Sequence, residues 1–156
     1  MLKRLRSAGG LLYKSPVQEL VRNAHVRVKF DPQTGLVRMV RTSTPIDTNE
    51  QLFESHVPIV TALDLIGREG KTLLIDTRLA PPRNDPEFEA ALRPLRVRIA
   101  RGFLRVAVVT RTATGQLQVQ RQTRESGDDI RVFMSEEDAI AYLKGRLDSR
   151  RPPPSR

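Results

Sequence analysis

Two short runs of apolar residues constrain the fold of this 156-residue chain more than any other feature. One run lies at residues 72–76 and the other at residues 104–110, and neither alternates between polar and apolar positions. Strands of this kind lie in the middle of a sheet that is covered on both faces, whereas half-exposed strands alternate. The sequence therefore predicts an α/β domain in which helices pack on a small sheet.

A β-hairpin is predicted ahead of these strands, because residues 25–30 alternate and residues 36–41 do so less regularly. The connection at residues 31–35 contains a proline that sets a turn and a glycine suited to positive φ. Residues 1–23 show no sustained period apart from a short helix at residues 16–21. We therefore expect a basic N-terminal segment at 1–23 that is flexible or partly helical, a single domain at 24–148, and a disordered Arg/Pro tail at 149–156.

Helices are predicted from capping residues and apolar spacing. The first begins at Thr48 or Asn49, carries an apolar stripe of Phe53, Val57 and Val60, and should be kinked or divided by Pro58. The second begins at residues 85–87 and runs to residue 101, with a further kink expected at residue 94. A capping box at residues 135–138 opens the last helix, after a short strand at residues 130–133. Residues 112–126 fit a strand or a helix equally well by pattern.

The net charge of +9 favours acidic partners such as nucleic acid, anionic lipid or an acidic protein surface. However, residues 1–23 and 144–156 together carry +8 of this charge, so the central body is close to neutral. The chain has no cysteine, which excludes disulfides, thiol catalysis and cysteine-ligated metal sites. It also has no apolar run long enough for a transmembrane helix and no secretory signal, so we expect a cytoplasmic protein.

The order of elements and five stretches of sequence resemble the STAS domain of sulfate transporters and anti-sigma-factor antagonists, and its small STAS/SEC14-like relatives. These stretches are residues 73–78, 83–88 and 106–109, the pair Gln118 and Arg121, and residues 132–143. The resemblance covers residues 25–147. It implies a small mixed sheet with an N-terminal hairpin, a helix at residues 113–126, and binding to a partner protein.

The family resemblance also implies a phosphorylatable serine at the start of the helix that follows the strand at 72–76. This sequence has Asn84 and Asp85 there, and Thr77 is the only nearby hydroxyl. A kinase-driven partner switch is therefore not expected. An Asp at a helix start is also an ordinary N-cap.

A polar group follows the strand at 72–76, at the edge where open α/β sheets place ligands. It consists of Asp76, Thr77, Arg78, Arg83, Asn84 and Asp85. These residues are the predicted partner-binding site, where the two arginines would hold an anion. The alternative is structural, with Asp76 pairing with an arginine and fixing the loop.

No catalytic constellation is present: the two histidines lack ligand spacing, and nucleophile-elbow, phosphate-loop and zinc-protease motifs are absent. We therefore expect a non-enzymatic protein-interaction or regulatory module, with no cofactor and no metal. The alternative is binding to nucleic acid or an anionic membrane through the basic ends, where the predicted contacts are Lys3, Arg4, Arg6, Arg150 and Arg151.

Overall fold

The fold is taken from a computed structural model that describes residues 16–83, 85–126 and 130–146. Six strands form one mixed sheet, and their order across the sheet is their order in the chain. The first three strands pair antiparallel, and the other three continue the sheet parallel to β3. The strands are β1 (Gln18–Arg22), β2 (Val26–Asp31), β3 (Leu36–Arg41), β4 (Thr72–Asp76), β5 (Arg105–Val109) and β6 (Ile130–Phe133). The predicted α/β class, hairpin and mixed sheet are confirmed.

Four helices cover the sheet unequally. They are α1 (Asn49–Ile66), α2 (Pro86–Ala100), α3 (Ala113–Ser126) and α4 (Glu136–Leu143). Each crossover from β3 to β6 advances in the same direction, and because such crossovers are right-handed, α1, α2 and α3 fall on one face. Ile59 of α1 and Ile99 of α2 belong to the core cluster on that face. Tyr142 of α4 packs on the opposite face with Leu74 and Val109.

The predicted capping residues begin their helices. The Thr48 hydroxyl accepts a hydrogen bond from the Gln51 amide at 3.0 Å, and the Ser135 hydroxyl accepts one from the Asp138 amide at 3.2 Å. Each side chain satisfies an amide that has no partner within its own helix. The helix starts read from the sequence are therefore confirmed.

The N-terminal prediction is wrong for residues 18–22, because they form the edge strand β1 rather than part of a helix or a flexible segment. The pairing register shifts between Glu19 and Val21, so Leu20 is an extra residue in the ladder. With this bulge the consecutive residues Leu20 and Val21 both pack against the same core cluster, so the strand lacks the usual alternation of polar and apolar residues. The sheet therefore begins ahead of the predicted domain boundary at residue 24.

Helix α1 differs from its prediction in two ways. It runs unbroken through Pro58, so of the kink or division predicted at that proline, the division into two helices is wrong. Its inward stripe consists of Leu52, Ser55, His56, Ile59, Val60 and Leu63, whereas Phe53 and Val57 are 45% and 44% exposed. The true stripe includes a serine and a histidine, which an apolar pattern does not select.

Residues 113–126 are helical, as the family resemblance implies. The Gly115 amide donates to the Thr112 hydroxyl at 2.9 Å, and the Gln116 amide donates to the Thr112 carbonyl at 2.9 Å. Thr112 thus acts as a helix cap, and this local hydrogen bonding decides a segment that the apolar pattern left open.

Candidate binding surface at the carboxyl ends of the parallel strands

The parallel strands β4, β5 and β6 end at one edge of the sheet, and the predicted site residues follow β4 along this edge. Three loops meet there: residues 77–85 after β4, residues 110–112 after β5, and residues 134–135 after β6. Open α/β sheets bind ligands at the carboxyl ends of their strands. The geometry of this edge therefore decides what the predicted site residues can contact.

Asp76 and Arg78 form a bidentate ion pair at the end of β4. The Arg78 Nε and Nη2 atoms lie 3.0 and 2.7 Å from the two carboxylate oxygens of Asp76. These hydrogen bonds hold the pKa of Asp76 below its usual value, and Asp76 is the main cause of the raised pKa of Arg78. The arrangement is that of the structural alternative, in which Asp76 pairs with an arginine and fixes the loop.

Glu136 of α4 extends this ion pair into a network across the sheet. Its carboxylate accepts from Arg78 Nη2 at 2.6 Å and lies 3.1 Å from Nη1 of Arg38 on β3. One carboxylate therefore connects β3, the β4–α2 loop and the start of α4. The Arg78 guanidinium is shared between two acids, which leaves it less able to hold a further anion.

The first half of the β4–α2 loop is fixed by hydrogen bonds from its neighbours. The Thr77 amide and hydroxyl both donate to the last carbonyl of β5, at 3.0 and 2.9 Å. Arg111 donates to the Arg78 carbonyl at 3.0 Å, and Gln118 of α3 donates to the Arg83 carbonyl at 3.1 Å. The loop is thus held by β5, by the β5–α3 loop and by α3, in addition to its own turn, in which the Ala80 amide donates to the Thr77 carbonyl at 3.0 Å.

Arg83 and Asp85 fix the entry into α2. The Arg83 guanidinium donates to the Ile46 carbonyl and to the Asp85 carboxylate, and it stacks over the Phe88 ring at 4.2 Å from the centroid. Asp85 caps α2 by accepting from the Glu87 amide at 3.0 Å. The bond from Arg83 is the main cause that lowers the pKa of Asp85. Asn84 lies outside the described residues.

The five predicted site residues that the structure describes therefore separate into two groups with structural contacts of their own. Asp76, Thr77 and Arg78 bind to β5 and α4, whereas Arg83 and Asp85 bind to the β3–α1 loop and α2. A groove of about 300 Å³ lies beside the second group, with Arg41, Ile46 and Phe88 among its lining residues. Two of its walls are the loops that Arg83 connects.

Two large apolar side chains that sequence reasoning missed are exposed at this edge. Leu79 in the β4–α2 loop is 58% exposed, and Met134 in the β6–α4 loop is 47% exposed. Leu79 follows Arg78 and Met134 precedes Glu136 by two residues, so the Arg78–Glu136 contact holds their loops together. Their signal in the sequence is an apolar residue in a connection where polar residues are expected. We call residues 77–83, which include Leu79, together with Met134 the carboxyl-end surface.

The remaining predicted contacts are not brought to this surface. Lys3, Arg4, Arg6, Arg150 and Arg151 lie outside the described residues. In the part of the chain that is described, no group of three or more acidic or histidine side chains is arranged to hold a metal ion. Among the same residues, no helix is both long enough and apolar enough to cross a bilayer.

One solved structure with a similar fold supports the architecture. It is a crystal structure of an uncharacterised protein of the DUF3478 family with a SpoIIAA-like fold, from Shewanella loihica PV-4. The likeness has a TM-score of 0.57 and 16% sequence identity, and it covers 79% of this chain and 98% of that one. The predicted STAS-like fold is thereby confirmed. No protein-family model matches the sequence, and neither does any curated protein.

Proposed function

We propose that this SpoIIAA-like domain is a non-enzymatic interaction module that binds a partner protein through the carboxyl-end surface. The observation that carries the proposal is the pair of exposed apolar side chains, Leu79 and Met134, on two loops tied together by the Arg78–Glu136 ion pair. Apolar anchors at the centre of a preformed surface are typical of protein interfaces.

The rigidity of the loop favours binding at this surface. The carbonyls of Arg78 and Arg83 accept hydrogen bonds from Arg111 and Gln118. Thr77 fixes the same loop to β5. A loop that is already ordered loses little conformational freedom on association, so more of the contact energy remains as affinity. Arg111 is exposed beside the β4–α2 loop and would favour an acidic group on the partner. That acidic group would lie next to the partner's apolar side chain that contacts Leu79.

The expected energy from one anchor is large enough to measure. Burying a leucine side chain completely contributes about 1.5–3 kcal/mol, and Leu79 has 58% of its surface still to bury. Loss of this contact should cost about 1–2 kcal/mol, which corresponds to roughly a fivefold to thirtyfold weaker Kd. Loss of Met134 should add a cost of similar size.

The variants that test the proposal must change the surface without changing the fold. Arg83 and Asp85 are poor choices, because Arg83 connects two loops and Asp85 caps α2. Leu79→Ser and Met134→Ser remove only exposed side chains. Leu104→Ser is the matched control, since Leu104 is 62% exposed and precedes β5 at the opposite edge of the sheet.

The experiment captures partners with the tagged full chain from a lysate of its own cells, in low and high salt. We expect one discrete protein to be retained by the wild type and by Leu104→Ser in high salt and to be lost with Leu79→Ser plus Met134→Ser. All baits should have the same Tm. Retention by the double variant would contradict the proposed surface. Capture of nucleic acid or lipid that washes off with salt would instead support binding through the basic ends.

A further inference from the structure

A second cavity differs from the groove in being lined mostly by apolar side chains. It lies between the sheet and the helices α1, α2 and α3. Its volume is about 120 Å³. Apolar side chains form most of its wall: Met39, Ile75 and Val108 from the sheet, Leu92 and Ile99 from α2, and Val119 from α3. A space with this lining suits a short hydrocarbon body.

Two arginines supply the charge in this cavity. Arg41, at the end of β3, and Arg96, on α2, both line it, and none of its described lining residues is acidic. Burial lowers the pKa of Arg41, and its Nε atom donates to the His25 carbonyl at 3.1 Å. The side chain of Arg96 is only 12% exposed, with Glu89 of the same helix 3.8 Å away. The cavity wall therefore combines apolar surface with two arginine side chains, one of which, Arg96, has an acid beside it.

His56 contributes a neutral ring to the cavity rather than a third charge. Its Nδ1 lies 2.8 Å from the Ser55 hydroxyl, and that hydroxyl donates to the Leu52 carbonyl at 3.0 Å. Burial is the main cause that lowers the pKa of His56 to about 4, so the ring is neutral near pH 7.

Arg41 also lines the groove at the carboxyl end of the sheet. Its side chain is therefore shared by the groove and the cavity. A guanidinium held in apolar surroundings is stabilised by a carboxylate, with which it forms two parallel hydrogen bonds. A ligand that carries a carboxylate on a short apolar chain would contact both the arginines and the apolar side chains of the cavity wall.

We propose that this cavity binds a small organic monocarboxylate, whose carboxylate pairs with Arg41 and Arg96 while its apolar body lies against Ile75, Leu92 and Val119. The cavity shares Thr77 with the carboxyl-end surface and none of that surface's other residues, and its test is independent of the partner proposal. Inorganic phosphate is a poor fit, because most of the wall offers it no hydrogen-bond donor.

The test measures binding of hexanoate to the full chain near pH 7 by isothermal titration calorimetry. Hexan-1-ol and hexylamine have the same chain without the carboxylate, and inorganic phosphate has charge without the chain. We expect binding of hexanoate alone, accompanied by a rise in Tm. Binding of hexan-1-ol as tight as that of hexanoate, tighter binding of phosphate, or no binding of hexanoate would each overturn the proposal.

Variants locate the site. Arg41→Met and Arg96→Met should each weaken hexanoate binding by about tenfold or more, since a hydrogen bond to a charged group contributes about 1.5–3 kcal/mol. Arg98→Met is the matched control on α2, where the arginine is exposed, and it should bind as the wild type does. Unchanged affinity in both cavity variants would overturn the assignment.

A measurement on the wild type keeps the proposal testable if a cavity variant fails to fold. Methyl NMR with hexanoate should shift the resonances of Ile75, Ile99, Val108 and Val119, which line the cavity. Leu65 and Leu104, at 83% and 62% exposure, should be unaffected. Shifts confined to residues outside the cavity would contradict the proposed site.

Discussion

His56 should make the stability of this protein depend on pH between 7 and 5. The ring is 2% exposed on the buried face of α1, with Ser55 as its hydrogen-bond partner. Burial lowers the pKa of His56 from 6.5 to about 4, and the nearby charge of Arg41 acts in the same direction. The folded protein therefore excludes a proton that the unfolded chain accepts readily.

The sign and size of the effect follow from this difference in pKa. As the pH falls below 6.5 the unfolded chain takes up a proton at His56, whereas the folded chain does so only near pH 4. Stability is therefore highest above pH 7 and falls as the pH decreases to about 4. The loss is about 2 kcal/mol at pH 5, where the folded ring is still neutral.

Urea unfolding at pH 7 and pH 5 measures this loss. The wild type should lose about 2 kcal/mol of unfolding free energy, whereas His56→Gln should change by a small fraction of that because the titrating ring is gone. His25→Gln is the control and should keep the wild-type loss, since His56 remains. The lowered pKa values of Asp76 and Asp85 confine their titration to lower pH, so these acids do not contribute in this range.

Two results would contradict a neutral, buried His56. One is a wild-type unfolding free energy that is the same at pH 7 and pH 5. The other is an equal loss in the wild type and in His56→Gln. Either would mean that the ring of His56 is accessible to water and can be protonated in the folded protein.

Three further substitutions test the packing and the ion-pair network by chemical denaturation. Glu136→Gln removes half-exposed ion pairs and should cost less than about 1 kcal/mol, whereas Asp76→Ala removes the bidentate partner of Arg78 and should cost about 1–3 kcal/mol. A larger loss of unfolding free energy in Glu136→Gln than in Asp76→Ala would mean that Glu136, rather than Asp76, is the main partner of Arg78. Leu74→Ala opens a cavity beneath α4 and should cost about 2–5 kcal/mol, so an unchanged stability would contradict the packing of α4 on β4.

The elements that the sequence predicted correctly are those with a local physical signal. Continuous apolar runs marked β4 and β5, and Thr48, Asp85 and Ser135 marked helix starts through hydrogen bonds to their own first turns. The edge strand β1 was missed, because its bulge interrupts the alternation of polar and apolar residues. Its pairing with β2, which stabilises it, is visible only in the structure.

The candidate site was predicted in location but not in detail. The sequence placed Asp76 and Arg78 at a strand end, where parallel strands bring loops together. It had no means of predicting the contact between Arg78 and Glu136, which are 58 residues apart. It likewise ranked Leu79 and Met134 no higher than other apolar residues, because exposure depends on the final packing of three loops.

Binding of a protein to the carboxyl-end surface can be detected by placing a photoreactive amino acid at single positions of the full chain in its own cells. Leu79 is the test position, and Leu104 is the matched exposed position at the opposite edge. We expect one discrete crosslinked protein from position 79 and none from position 104, with the product unchanged in high salt. No product at position 79, or the same products at both positions, would contradict binding at this surface.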